Sequence, residues 1–292
     1  MKIYLRDRGA VFFSLLSAFI VIGLMVFFLG DMNIKGITGM LEKFPGRDAA
    51  QDEKNAKALV FSWTGAGILA INAMTVTQAC FSGMIKDRVS GKLNAIYTAP
   101  VSRLKIAAGY IAAAWVSSVI VCVLTLGITE VYGVLQGMAP YSILTHLQLL
   151  GLMMVNSLVF ATMMYPVVLL AKTEGAWSGL GIVIGTLVGF LGGIYIPIGS
   201  LSDSIAALMK CTPVIYSTAL FRSVMNAEII EETFTGVPIE VVTEYRQVMG
   251  VDLQIGGHSL TVTEEWLLLF FCGILFFVIG ACMLRYGKKT DR

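Results

Sequence analysis

LVFSWTGAGILAINAMTVTQACF, residues 59–81, carries no Asp, Glu, Lys, Arg or His. It is followed by MIKDRVSGKLNAIYTAPVSRLK, residues 84–105, and then by IAAGYIAAAWVSSVIVCVLTLGIT, residues 106–129, again free of those five residue types. About 20 consecutive apolar residues is the length a helix needs to cross roughly 30 Å of hydrocarbon, so two membrane spans joined by a polar segment decide the fold class. Four further runs reach the same length: Val11 to Leu29, Leu147 to Ala171, Ala176 to Ile198 and Trp266 to Leu284. A transmembrane strand would instead show about ten residues of alternating polarity, which none of these runs does. With 57% hydrophobic and 14% charged residues, the chain lies far from a soluble domain, whose charged share is near a quarter. The expected fold is an all-α integral membrane protein with six transmembrane helices, forming one domain over residues 1–292.

Orientation follows from the basic residues beside the spans. Lys2, Arg6 and Arg8, then Lys86, Arg88, Lys92, Arg103 and Lys105, then Lys172, then Arg285, Lys288, Lys289 and Arg292 fall on one side. The pieces on the other side, 30–58, 130–145 and 199–265, are together richer in acid. Both termini and segment 84–105 are therefore expected in the cytosol. The opening residues resemble a signal peptide, but the 19-residue apolar run is long for one and no A-x-A-like site follows, so a retained first span is expected. Segment 84–105 is basic and partly apolar (Val89, Leu93, Ile96, Tyr97, Val101, Leu104), as suits a short helix at the membrane surface.

The external pieces differ in character. The external piece 30–58, from Asp31 to Lys57, mixes charges with Gly36, Gly39, Pro45 and Gly46 and predicts a surface loop with short helical pieces at most. After IYIPIG, the segment from Ser200 to Met225 alternates short apolar blocks with Pro213, Asp203, Lys210 and Arg222, and together with Pro197 predicts a re-entrant external hairpin. Val237, Ile239, Val241 and Val242, then Leu253, Ile255, Leu260 and Val262, give two strand-like patches in a small external subdomain.

Within the spans, Gly181, Gly185, Gly189 and Gly193 recur every fourth residue and offer a face for close helix packing, within the chain or across a dimer. Asn72, Thr75 and Gln78 share one face of the second span, and Ser118 and Thr125 one face of the third. They are candidates for interhelical hydrogen bonds or for lining a substrate pathway. Trp63, Trp115, Trp177 and Trp266 lie near span ends or within their first third, where three of them would suit interfacial anchoring rather than ligand stacking. The five cysteines form no CxxC pair and suggest neither a disulfide framework nor a metal site.

Function is narrowed by absences. No ionisable residue of the five types lies inside a span, which speaks against ion-coupled transport. His146 and His258 are the only histidines, HExxH and GxSxG are missing, and the glycines of GACMLRYGKKT are seven apart and close a membrane helix, so neither a catalytic set nor a P-loop is present. No soluble basic domain exists to hold nucleic acid. Any energy for transport must come from another polypeptide.

Three stretches carry a resemblance to the membrane subunit of type-2 ABC exporters, the ABC-2-type permeases. Tyr4 to Leu16 is similar to that family's basic approach to its first span. Arg88, Gly91 and the run Ala99, Pro100, Val101, Ser102, Arg103 resemble its charged helix, glycine and PVSR-like turn. Leu191 to Val224 resembles its fifth-span exit and hairpin, with Gly193, Pro197, Pro213 and Arg222 in place. The resemblance implies a non-catalytic permease in the bacterial plasma membrane, paired with a second permease copy or a sister permease and with two ABC ATPase subunits. ATP and Mg would bind in the partner ATPase, and no cofactor in this chain. It further implies that Arg88, Gly91, Pro100, Val101, Ser102 and Arg103 couple to the ATPase, which drives an amphiphilic substrate (drug, peptide or lipid-like) outward among membrane lipids. A lipid-linked glycan exporter permease, and a non-transporting antimicrobial immunity or sensor protein, are the alternatives.

Overall fold

The computed structural model describes Gly23, residues 30–93, Thr98 and residues 100–286. The expected first span apart from Gly23, the basic residues before it, the matching stretch Tyr4 to Leu16, residues 94–97, Ala99, and Lys288, Lys289 and Arg292 lie outside the described residues.

Helix starts follow the capping residues the sequence supplies. α1, Gly30–Leu41, precedes α2, Ala49–Val89, whose N-cap Asp48 accepts a hydrogen bond from the Ala50 N–H. Ser102, Ser142 and Thr173 cap α3 (Arg103–Leu135), α4 (Ile143–Leu170) and α5 (Glu174–Leu191) in the same way. The last helix, α10 (Val262–Tyr286), begins with a reciprocal box in which Thr261 Oγ1 accepts from Glu264 N–H and the Glu264 carboxylate accepts from Thr261 N–H at 2.7 Å. Among the described residues five helices are long and apolar enough to cross a membrane: α2, α3, α4, α5 and α10. A sixth crossing exists if the bent pair α6 (Asp203–Lys210) and α7 (Pro213–Met225) is taken as one. The chain is an all-α, multi-pass membrane protein.

α2 is the axis of the bundle. Its 41 residues span about 60 Å, twice the hydrocarbon thickness. It packs against α1, α3, α4, α5, α7 and the short α8 (Ala227–Thr233). The approach to the chain after α5 is close enough that a Cβ on Gly67 would sit 2.6 Å from Ile194, so no larger residue fits there. α10 lies mainly on α4, where Gly273 and Gly280 face Val159 and Tyr165.

Three stretches differ from expectation, and a fourth, the second strand-like patch, keeps its strands. Residues 30–58 hold α1 and the first turns of α2 rather than a loop, because Asp48 caps the helix and Glu53–Lys57 at 2.6 Å and Gln51–Asn55 at 2.9 Å are i,i+4 pairs. A hydropathy run registers only the apolar part of such a helix. α5 ends at Leu191, not Ile198, because Gly193 adopts φ +62 and turns the chain into the short 3-10 turn Ile198–Ser200. The first strand-like patch is instead a helix, α9 (Ile239–Val248), which starts after Pro238 and buries only Tyr245. The second patch is a small antiparallel hairpin, β1 (Gln254–Ile255) with β2 (His258–Ser259), turning on Gly256 and Gly257.

The expected external hairpin corresponds to α6 and α7, which meet at 89° across Cys211 and Thr212, with Pro213 opening α7. Arg222 is not a surface charge of that hairpin. It is fully buried, and Trp63 and Trp177, among the four considered for interfacial anchoring, are buried as well.

Candidate functional site

Segment 84–105 joins the end of α2 to the start of α3. The last turn of α2 has two faces. Met84 and Ile85 are buried and Arg88 partly so, whereas Lys86 and Val89 point outward. Gly91, at φ +75, ends the helix in a conformation L side chains rarely adopt, and Leu93 folds back into the core. Beyond the undescribed residues, Pro100, Val101, Ser102, Arg103, Leu104 and Lys105 are all exposed, Ser102 as the N-cap of α3. Val89, Val101 and Leu104, each about half exposed, thus stand among the cations Lys86, Lys92, Arg103 and Lys105. Apolar side chains held at the surface among charges of one sign make a contact surface for another molecule.

Arg88 is not part of that exposed surface. Its Nη1 donates to the carbonyls of Val168 (3.2 Å) and Ala171, capping the C-terminal end of α4. Helix C-termini leave carbonyls without intrahelical partners, and a cation there also suits the helix dipole. Beside it, Tyr110 of α3 donates to Asp87 Oδ2 at 2.7 Å. The end of α2 is therefore fastened to α3 and α4 by adjacent side chains. The signal was legible: Met84, Ile85 and Arg88 lie on one helical face at i, i+1 and i+4.

The residues considered for a pathway are committed to helix contacts. Asn72 donates to Thr125 Oγ1 (3.0 Å) and Ser118 to Ser157 Oγ (2.9 Å). Gln78 Nε2 donates to the Trp177 carbonyl while Trp177 Nε1 donates to the Gln78 carbonyl. Thr75 bonds back to its own helix. These interhelical bonds tie α2 to α3, α3 to α4 and α2 to α5, the alternative to lining a passage. The group that sequence reasoning missed is Asn156. It is wholly buried in α4, donates to the Ala70 carbonyl of α2 and accepts from Ser217 of α7 at 2.7 Å. A lone amide in an apolar run has no periodic signature.

The glycine stripe divides. A Cβ on Gly181 would strike Gln78 of α2, one on Gly189 would strike the ring of Tyr195, Gly193 lies in the turn after α5, and Gly185 faces open space. Three of the four therefore serve contacts within the chain.

At the far end of α2, Arg222 holds three backbones together. It donates to the carbonyls of Gly193 (2.8 Å), Met249 (3.1 Å) and Gly250 (3.4 Å), and its guanidinium lies 4.1 Å from the centre of the Trp63 ring. Trp63 Nε1 donates to Met249 O at 2.8 Å. Close by, Arg47 forks onto Asp52 at 2.8 and 2.6 Å and donates to the carbonyls of Thr233 and Thr235, and this Asp52 hydrogen bond raises its pKa. The helices that follow α5 are thus bolted to α2 by two arginines.

No curated protein matches the chain. One family model, described as ABC-2 family transporter protein, matches residues 41–282, from the end of α1 almost to the end of α10.

Proposed function

The chain belongs to the ABC-2 family of transporter proteins and is a membrane-spanning permease subunit of an ABC transporter, and from that premise we propose that it exports an amphiphile driven by ATPases docked on segment 84–105. Proteins of this family work with ABC ATPase partners. Two such subunits would bind ATP and Mg and sit against a pair of permeases, this chain with a second copy or with a sister chain, in the plasma membrane. The permease itself performs no chemistry.

One observation carries the reading. The exposed cationic and apolar surface of Lys86, Val89, Lys92, Val101 and Leu104 sits where α2 is fastened to both α3 and α4. A push received there moves three helices as one body, which is how a rigid-body transition is driven from outside the membrane. Arg88 enters this reading as a positioning residue, and Arg103 as a contact residue. Drug-like, peptide and lipidic amphiphiles all suit a bundle whose α3, α4, α5 and α10 present apolar side chains outward.

The test is charge reversal on the exposed surface. Lys92→Glu with Arg103→Glu is expected to cut nucleotide hydrolysis by the copurified complex about tenfold, an ordinary loss for an interface charge pair, while leaving membrane insertion and melting temperature unchanged. Full hydrolysis with full copurification in the double variant refutes docking at this segment.

A further inference from the structure

A cavity of about 420 Å3 opens at the N-terminal end of α2, the end away from segment 84–105, between α2, the close of α3, the start of α4 and the α7–α8 corner. Phe61, Met138, Met225 and Ile229 make part of its lining apolar, beside the buried polar Asn55, Ser62 and Thr145. Its walls carry charge of both signs, and the pairing of those charges decides what could bind.

Lys57 is paired with Glu53 at 2.6 Å. Glu130 is fully engaged, since one oxygen accepts from the Tyr141 N–H at 3.0 Å and the other meets His146 Nε2 at 2.8 Å. That clamp, with Tyr141 Oη 3.1 Å from Ser62 Oγ, which itself donates to the Met225 carbonyl, fixes the 136–142 turn as one wall. Glu228 and Glu232 remain, one helical turn apart on α8. Both are exposed, and neither has a hydrogen bond or ion pair among the described residues. Across from them stands one lysine, Lys54. The uncommitted charge of the cavity is therefore acidic, two carboxylates against one ammonium, in a lining that also holds Phe61, Met138, Met225, Ile229 and Tyr141. Outside the cavity, Val131 and Leu135 at the end of α3 and Ile143 and Leu144 at the start of α4 are mostly exposed apolar side chains, so the mouth adjoins a surface suited to alkyl chains.

We propose that this cleft binds the cationic head of an amphiphile. Glu228 and Glu232 are the counter-charges, Phe61 and Tyr141 the aromatic surfaces that suit an alkylammonium, and the α3–α4 apolar edge the track for its tail. The proposal rests on the exporter reading for its purpose and narrows the substrate class to amphiphiles with a positive head.

The test uses a diazirine-bearing decyltrimethylammonium and the full chain in phosphatidylcholine nanodiscs, with labelled peptides located by mass spectrometry. Label is expected on Phe61, Met138 and Met225. Excess decyltrimethylammonium should displace it, whereas decyl sulfate and a zwitterionic decyl sulfobetaine at equal concentration should not. Glu228→Gln with Glu232→Gln should lower specific labelling about fivefold, as loss of two exposed ion pairs implies, while Glu231→Gln on the same helix leaves it unchanged. Both acids are exposed, so the variants should keep the parent melting temperature. Label spread evenly over the outward faces of α5 and α10, or displacement by decyl sulfate or the sulfobetaine as effective as by the cation, overturns the proposal. Labelling needs neither ATPase nor nucleotide. A chain that labels in the cleft but never supports coupled hydrolysis refutes the exporter reading alone, and the converse result refutes this site alone.

Discussion

A buried guanidinium with no carboxylate bonded to it is costly unless its donors are matched, and at Arg222 backbone carbonyls match Nη1 and Nη2 while Nε has no hydrogen-bond partner among the described residues. The carbonyls come from the break after α5 and from the end of α9, two places where regular structure stops and acceptors are left over. Trp63 adds a ring face and takes Met249 O with its own N–H. Replacing Arg222 with Met removes all these donors and strands the carbonyls, so Arg222→Met should destabilise the fold by about 2–4 kcal/mol, with Arg222→Lys intermediate because an ammonium cannot fork to all three. A thermal-shift series in detergent reads this directly, and equal melting temperatures for Met and wild type would contradict the role. Nothing local in FRSVM marks this arginine as buried, since its partners are 27 to 29 residues away along the chain, with Trp63 far upstream.

At the scale of elements, α2 is a helix about 60 Å long with both ends held. Near its start Arg47 clamps the close of α8, and at its finish Arg88 and Asp87 clamp α4 and α3. Arg88→Ala frees the α4 carbonyls and Tyr110→Phe frees Asp87, each a loss of about 1 kcal/mol of attachment. The expected outcome is that either variant still copurifies with the ATPase and inserts normally but shows several-fold less substrate-stimulated hydrolysis. Loss of copurification in Arg88→Ala would instead make Arg88 a docking contact, contrary to its position at the α4 terminus. The spans themselves were legible in the sequence as apolar runs. Their true lengths were not, because a helix continues into polar residues wherever caps and i,i+4 pairs support it.

In the molecule as a whole, α2 is sheathed while α5 and α10 lie on the rim. Ile182, Val183, Leu187 and Phe190 on α5, and Leu267, Phe271 and Ile274 on α10, are turned outward to lipid or to a second permease. Gly181 faces Gln78 of α2, whereas Gly185 faces open space. Gly181→Leu should lower the melting temperature by several degrees, because the side chain must displace Gln78 from its bond to α5. Gly185→Leu should leave the melting temperature unchanged. If a second copy packs on that open point, single-molecule photobleaching in nanodiscs will show Gly185→Leu shifting pairs to single subunits, whereas an unaltered pair count places the partner elsewhere.

The sequence by itself determined the class and the apolar cores of the five described long helices, because hydrocarbon imposes a length and a polarity on every helix that crosses it, and both are properties of consecutive residues. Only the tertiary structure decided which polar groups meet. Asn156 joining α4 to α2 and α7, Arg88 capping α4, Arg222 under Trp63, and Glu228 and Glu232 left unpaired in a partly apolar cleft all depend on residues brought together from distant parts of the chain. Burial makes a polar group seek a partner, but the choice of partner belongs to the packing of whole helices.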